Sequence, residues 1–276
     1  MQFAVNYSLP LEKLLLTGKV EVDLLKCPDW QGVIHAAQRL RPVYVHFEIS
    51  VGNGEASTLD YDALRAMLTQ THTPHLNCHL VGNGTLDPES SNDRLRQINQ
   101  WVEELTVLRT NLPELPLVAE NLPINPLEKG SQIGADPNLI REALLATETD
   151  LLFDLSHARI SCVAMESELA DYIDRLPMER LRELHLTGLR KYHGLITDHF
   201  ELTEADWQAA EWAQQQILSG EWRQPEIVAL EYGGVGDVFG WRTQSEALLA
   251  QVPRLQAMFG NHGSSFSPVS ECAADP

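Results

Sequence analysis

Eight times along the chain, a short run of apolar, β-branched or aromatic residues gives way to a longer stretch of helical spacing. The predicted strands are Phe3–Tyr7, Val20–Leu25, Val43–Ile49, His75–Leu80, Leu115–Glu120, the run from Leu151 into Asp154, Arg182–Thr187 and Ile227–Tyr232. Between them the spacing predicts helices over Leu11–Leu16, Trp30–Leu40, Asp60–Gln70, Asp93–Thr110, Asn138–Ala146, Ser167–Leu181 with a break near Pro177, and Glu204–Ile217. A last predicted helix, Thr243–Met258, follows the eighth strand. Alternating strands and helices require a parallel sheet, and a count of eight favours one that closes on itself. An open doubly wound sheet is the alternative, but no G-x-G-x-x-G follows the first strand. The expectation is a single (β/α)8 TIM barrel over residues 1–260, with a Ser- and Pro-rich tail, 261–276, expected to be disordered.

Composition narrows the setting. With 276 residues and 43% hydrophobic content the chain can bury a sizeable core. No apolar run reaches the roughly 18 residues that suggest a membrane span, and the N-terminal residues lack the layout of a signal peptide. Cys27, Cys78, Cys162 and Cys272 form no C-x-x-C pair, so a reducing cytoplasm is the expected compartment. Acidic residues outnumber basic ones 39 to 20, a formal charge of −19. Nucleic-acid binding needs Lys and Arg against phosphates, and no dense basic run is present.

In such barrels the active site lies where the strands end. Strand three carries His46, strand four His79, strand five Glu120, and strand six Asp154 with His157. Strand seven carries His185, the loop beyond it Asp198 and His199, and strand eight ends in Glu231. A lone barrel histidine is usually a hydrogen-bonded core residue, and an acid closing a strand is often a helix cap. Those readings would have to hold independently on six successive strands. A metal centre accounts for all of them together, with His46, His79, Glu120, Asp154, His157, His185, Asp198 and Glu231 as ligands.

Imidazoles and carboxylates without thiolates suit Zn, Fe or Mn. So many candidates exceed what one ion can hold, which points to two or three divalent ions sharing carboxylates. By strand alternation Cys78 faces away from the site, whereas Glu48 shares the side of His46 as a further ligand, a supporting partner or a proton shuttle. Lys191, Arg159 and Arg190 are the nearest cations for an anionic substrate group.

These residues resemble a known series. Glu120-Asn121, Asp154-x-x-His157, His185-Leu186-x-Gly188, Asp198 and Leu230-Glu231 are similar to the metal-site positions of the xylose-isomerase-like barrel superfamily. Its sugar isomerases and epimerases are similar at Glu120, Asp154, His185 and Glu231. Its endonuclease IV branch is similar in Asp154-x-x-His157 and in ligand order, which there holds three zinc ions. Its multinuclear non-haem iron branch is similar in His46-x-x-x-Ser50-x-Gly52, His79-Leu80 and overall spacing. That last branch oxidatively modifies ribosomally made peptides with two or three irons and dioxygen. Two departures stand out. Both multinuclear branches tend to have Asp-x-His after strand seven, whereas Asp198 and His199 are adjacent, so His193 is a candidate substitute. The iron branch often has Asn where His157 stands.

The resemblance implies, first, an iron-dependent oxidative enzyme acting on a peptide or small molecule, with a partner protein that delivers the peptide. Glu48 or His199 would move protons. The alternative is a sugar isomerase or epimerase in which Glu120 and Glu231 shuttle a proton. An endonuclease-like phosphoesterase ranks third, against the charge, and a non-catalytic barrel would leave the ligand set without purpose.

Overall fold

In the computed structural model, which describes residues 1–260, nine strands run parallel in one curled sheet. They are β1 (Gln2–Asn6), β2 (Leu24–Pro28), β3 (Val43–His46), β4 (Ser50–Val51), β5 (Leu76–Leu80), β6 (Leu117–Asn121), β7 (Asp150–Asp154), β8 (Leu181–Leu186) and, after a hairpin, β11 (Ile227–Leu230). The order β3-β2-β1-β11-β8-β7-β6-β5-β4 ends on two pieces of one strand, because β3 and β4 are consecutive in the chain. The sheet therefore closes as the predicted eight-stranded barrel, with its third strand split. Side chains fasten the seam. Thr73 Oγ1 accepts from Val45 N at 2.9 Å, and the Asn77 amide pairs with both N and O of Phe47 at 2.7 and 2.9 Å.

Helices cover the outside: α1 (Leu9–Leu16), α2 (Gln31–Gln38), α3 (Tyr61–Thr71), α4 (Ser91–Asn111), α5 (Ser131–Gly134), α6 (Pro137–Ala146), α7 (Leu155–Met165), α8 (Leu169–Ile173), α9 (Glu204–Ser219), α10 (Gly236–Phe239) and α11 (Ser245–Phe259). Several start on side-chain caps that satisfy free amide groups: Ser8 for α1, Asp60 for α3, Ser90 for α4 and Asp136 for α6. Their apolar faces bury the outward residues of the strands in one continuous core. The barrel interior has a small apolar floor of Ala4, Leu24, Tyr44, Ile227 and Ala229. Continuing each strand by two residues from that floor reaches Asn6, Lys26, His46 and Glu231 at the rim.

Three expectations need correction. The second strand is Leu24–Pro28 rather than Val20–Leu25, since Val20 and Val22 pack into the core from a loop and the ladder with β1 begins at Leu24. The predicted helix Ser167–Leu181 is only the short α8, while α7 starts directly on the last residue of β7. The polar stretch after strand seven is not a loop but an antiparallel hairpin, β9 (Gly188–Tyr192) and β10 (Leu195–Phe200). The predicted tail lies outside the described residues. Among those described, no helix is long and apolar enough to cross a membrane.

Candidate metal centre

Asp154 holds the rim together at the junction of β7 and α7. Its Oδ1 caps α7 by accepting from His157 N at 2.7 Å, while Oδ2 is buried with no hydrogen-bond partner. Cap and candidate ligand are thus two oxygens of one carboxylate. Asn121, the last residue of β6, grips the same residue: its Nδ2 donates to Asp154 O at 2.9 Å and its Oδ1 accepts from Asp154 N at 2.8 Å.

Two groups of candidate ligands converge on Glu120. In the first, His46 Nε2 and His79 Nε2 are 3.0 Å apart and lie 3.5 and 3.3 Å from Glu120 Oε2. The second joins Glu120, Asp154, His185 and Glu231, whose donor atoms all lie within 4.8 Å of one another. Its His185 Nδ1 sits 3.7 Å from Glu120 Oε1, 4.0 Å from Asp154 Oδ2 and 3.3 Å from Glu231 Oε1. Glu120 Oε2, Asp154 Oδ2 and His185 Nδ1 are all buried without hydrogen-bond partners. Buried polar atoms are rarely left so, and atoms of this chemistry facing one another fit divalent cations.

The electrostatics agree. Burial raises the Asp154 carboxyl above its usual range, and the charge of Glu120 adds to it. Burial also works against an ionised Glu120, yet the imidazoles of His157, His185 and His79 facing it hold its carboxyl well below the usual range. For His157, burial opposes the charged form, but Asp154, Asp198 and Glu120 outweigh it and raise the imidazole well above its ordinary value.

His157 and Asp198 flank these groups. His157 Nε2 is 2.9 Å from Asp198 Oδ2, and Nδ1 is 2.9 Å from Asn121 O and 3.2 Å from Glu120 Oε1. Adjacent Asp198 and His199 both turn inward because β10 bulges there: its register shifts between Thr197 and Phe200, and His199 has φ 58°. His199 lines the cleft with Nε2 3.9 Å from Glu231 Oε2, and burial pushes its imidazole down to about 4. His193 sits exposed beyond β9 on the far turn of the hairpin, in neither ligand group. Glu48 shares the cleft wall with His46, although it lies in the break between β3 and β4 rather than on a strand, and also belongs to neither group.

The three surface cations expected near the substrate stand elsewhere. Arg159 is tied to Asp206 and Arg190 to Glu201, while Lys191 is exposed on the hairpin. The cation that does reach the centre is Lys26, which sequence reasoning missed because the predicted second strand stopped one residue short. Its Nζ pairs with Glu231 Oε1 and lies 3.1 Å from His185 Nε2. Also missed was Glu183, wholly buried below the candidate ligands. It accepts from Tyr44 Oη and His185 Nε2, both at 2.8 Å, and pairs with His75 Nε2 at 2.5 Å. A Glu two residues before a strand-end His, on the same inward face, was the available signal.

Above the ligands opens a cleft of about 530 Å³, walled by Trp30, Val238, Phe239 and the turn Gly233–Gly236. Fold and rim together define a xylose-isomerase-like barrel with a His and carboxylate centre at the C-terminal ends of its strands. The family model described as RiPP precursor modification enzyme MbnB/TglH/ChrH matches residues 33–218, and the chain belongs to that family. It is 24% identical over 196 residues, 68% of either chain, to a UPF0276 protein of Caulobacter vibrioides (strain NA1000 / CB15N). In fold it is similar to D-psicose 3-epimerase of Clostridium cellulolyticum H10, with TM-score 0.60 and 11% identity over 95% of this chain and all of that one. A xylose isomerase domain protein of Alicyclobacillus acidocaldarius gives TM-score 0.52 and 16% identity over 93% of this chain and 98% of that one.

Proposed function

We propose that the chain is a multinuclear non-haem iron enzyme that oxidatively modifies a ribosomally made peptide. The observation that carries this reading is the pairing of two donor sets through one residue. His46, His79 and Glu120 form a two-histidine, one-carboxylate set, the combination typical of non-haem Fe(II) oxygenases. Glu120 also belongs to the carboxylate-rich set with Asp154, His185 and Glu231, which suits a bridging carboxylate between neighbouring ions. His157 and Asp198 stand ready to extend the second set. Bound iron would supply one-electron and dioxygen chemistry at this rim.

The residues around it assign themselves simpler tasks. The cleft admits a short extended segment of chain, and its aromatic wall of Trp30 and Phe239 offers apolar contact to such a segment. His199, held neutral near pH 7, can accept a proton at Nε2, and Glu48 can do so from the opposite wall. A partner protein that delivers the peptide belongs to the same reading, as does a cytoplasmic setting in keeping with three buried free cysteines.

Reconstitution with Fe(II) under anaerobic conditions, followed by elemental analysis, tests the proposal. More than one iron per chain and an iron-dependent optical band are expected. Retention of zinc or manganese only, with no such band, refutes the iron reading. The second reading, a metal-dependent sugar epimerase, rests on the Glu120, Asp154, His185 and Glu231 quartet alone. It leaves His46 and His79 without a task, and turnover of a ketohexose with one ion per chain would favour it.

A further inference from the structure

Lys26 is only 4% exposed, and among the described residues it is the one Lys or Arg that lines the cleft. A buried ammonium is costly unless paired, and here the partner is Glu231, itself a member of the second ligand group. One oxygen of that carboxylate, Oε1, serves Lys26, and the other, Oε2, faces His199 in the cleft. Burial lowers the pKa of the Lys26 ammonium and the charges of Glu183, Glu120 and Asp154 oppose that, so an ion drawing on Glu231 must share it with the ammonium.

Charge counting gives that arrangement a meaning. Five buried or half-buried carboxylates meet here, Glu120, Asp154, Glu183, Asp198 and Glu231, while Glu48 on the cleft wall is exposed and its charge is screened by solvent. One ammonium offsets one of them, and two divalent ions offset the remaining four. A third divalent ion would leave the buried centre with two positive charges in excess, an expensive imbalance at low dielectric. We propose that Lys26 is a built-in cation of the metal centre, a positioning residue that holds Glu231 and stands in for a third ion, so that the centre closes at two. The inference rests on the metal-centre reading above and deepens it.

The test uses the full chain, stripped by chelator and titrated with Zn²⁺ alone, with ions per chain counted by elemental analysis. Wild type takes up two ions. Lys26→Met removes the charge at similar length, and it binds the weaker of the two ions at least tenfold more tightly or accepts a third. Lys26→Arg keeps the charge and restores wild-type uptake. A residue that merely shaped the pocket would give the opposite sign, because losing it could only loosen the ligands. Unchanged or weaker binding in Lys26→Met overturns the proposal, as do three ions in wild type. That last measurement holds even where the variant does not fold. Fewer than two ions in wild type instead overturns the multinuclear reading itself, so the two failures are distinct.

Discussion

Glu183 and His185 stand two residues apart on β8 and meet side chain to side chain, with His185 Nε2 donating to Glu183 Oε1 at 2.8 Å. Although burial opposes it, hydrogen bonds from His185 and His75 keep the Glu183 carboxyl well below its usual range, so it acts as an acceptor only. That contact aims Nε2 at Glu183 and turns Nδ1 toward Glu120, Asp154 and Glu231. Glu183→Gln weakens this orientation and lowers ligand basicity. Zinc affinity should fall by about 10- to 100-fold, the usual cost of losing such a partner. Competition with a chelating dye reads it, and unchanged affinity would show the contact to be idle.

Asp154 allows its two roles to be separated. Asp154→Asn retains an oxygen for the cap but loses the charge, so metal uptake drops while the metal-free protein melts at or above the wild-type temperature. Relief of a carboxyl that burial raises accounts for that sign. Asp154→Ala loses the cap as well, costing about 1 kcal/mol and hence roughly 2–4 °C against the Asn variant. Equal melting temperatures for the two variants would remove the cap from the account.

Stability of the metal-free protein should depend on His199 in acid. Its imidazole titrates near 6.5 when unfolded and at about 4 when buried. Between those values the unfolded chain binds the extra proton, so stability falls as pH drops from about 6.5 to about 4. His199→Gln should flatten that part of the curve. Because His157 is shifted the other way, the difference between wild type and variant is the quantity to plot. Parallel curves would argue against a neutral, buried His199.

Asn121→Ala removes both hydrogen bonds to the Asp154 backbone and leaves those groups buried. A loss of about 1–3 kcal/mol per unsatisfied group follows, visible as a lower denaturation midpoint in urea. Metal affinity should fall with it, since Asp154 and His157 both hang from that junction. A variant with normal metal uptake and normal stability would contradict this.

Much of this was legible from residues one at a time. His46, His79, Glu120, Asp154, His185 and Glu231 each lie at or within one residue of a strand's end, and the period of two is enough to bring them together. Lys26 was hidden because Val20 and Val22 look like strand residues while only packing against the core, which displaced the predicted strand. Helix α7 was hidden because seven of its eleven residues are buried on all sides, erasing the polar stripe that marks a surface helix. The bulge that turns both Asp198 and His199 inward depends on His199 adopting a left-handed backbone, which nothing in its neighbours announces. The break in the third strand follows from Thr73 and Asn77 supplying ladder contacts from another strand's approach, a long-range substitution.

That broken strand carries one more consequence. The same Asn77 amide that fastens Phe47 lies 3.4 Å from His46 Nε2, and His46 faces His79 across the gap between β3 and β5. A cation gripped by both imidazoles would act as a rivet where the cylinder is least continuously stitched. Binding and closure would then be one event at that point: emptying the site would slacken the wall there first, and prying the wall apart there would free the ion.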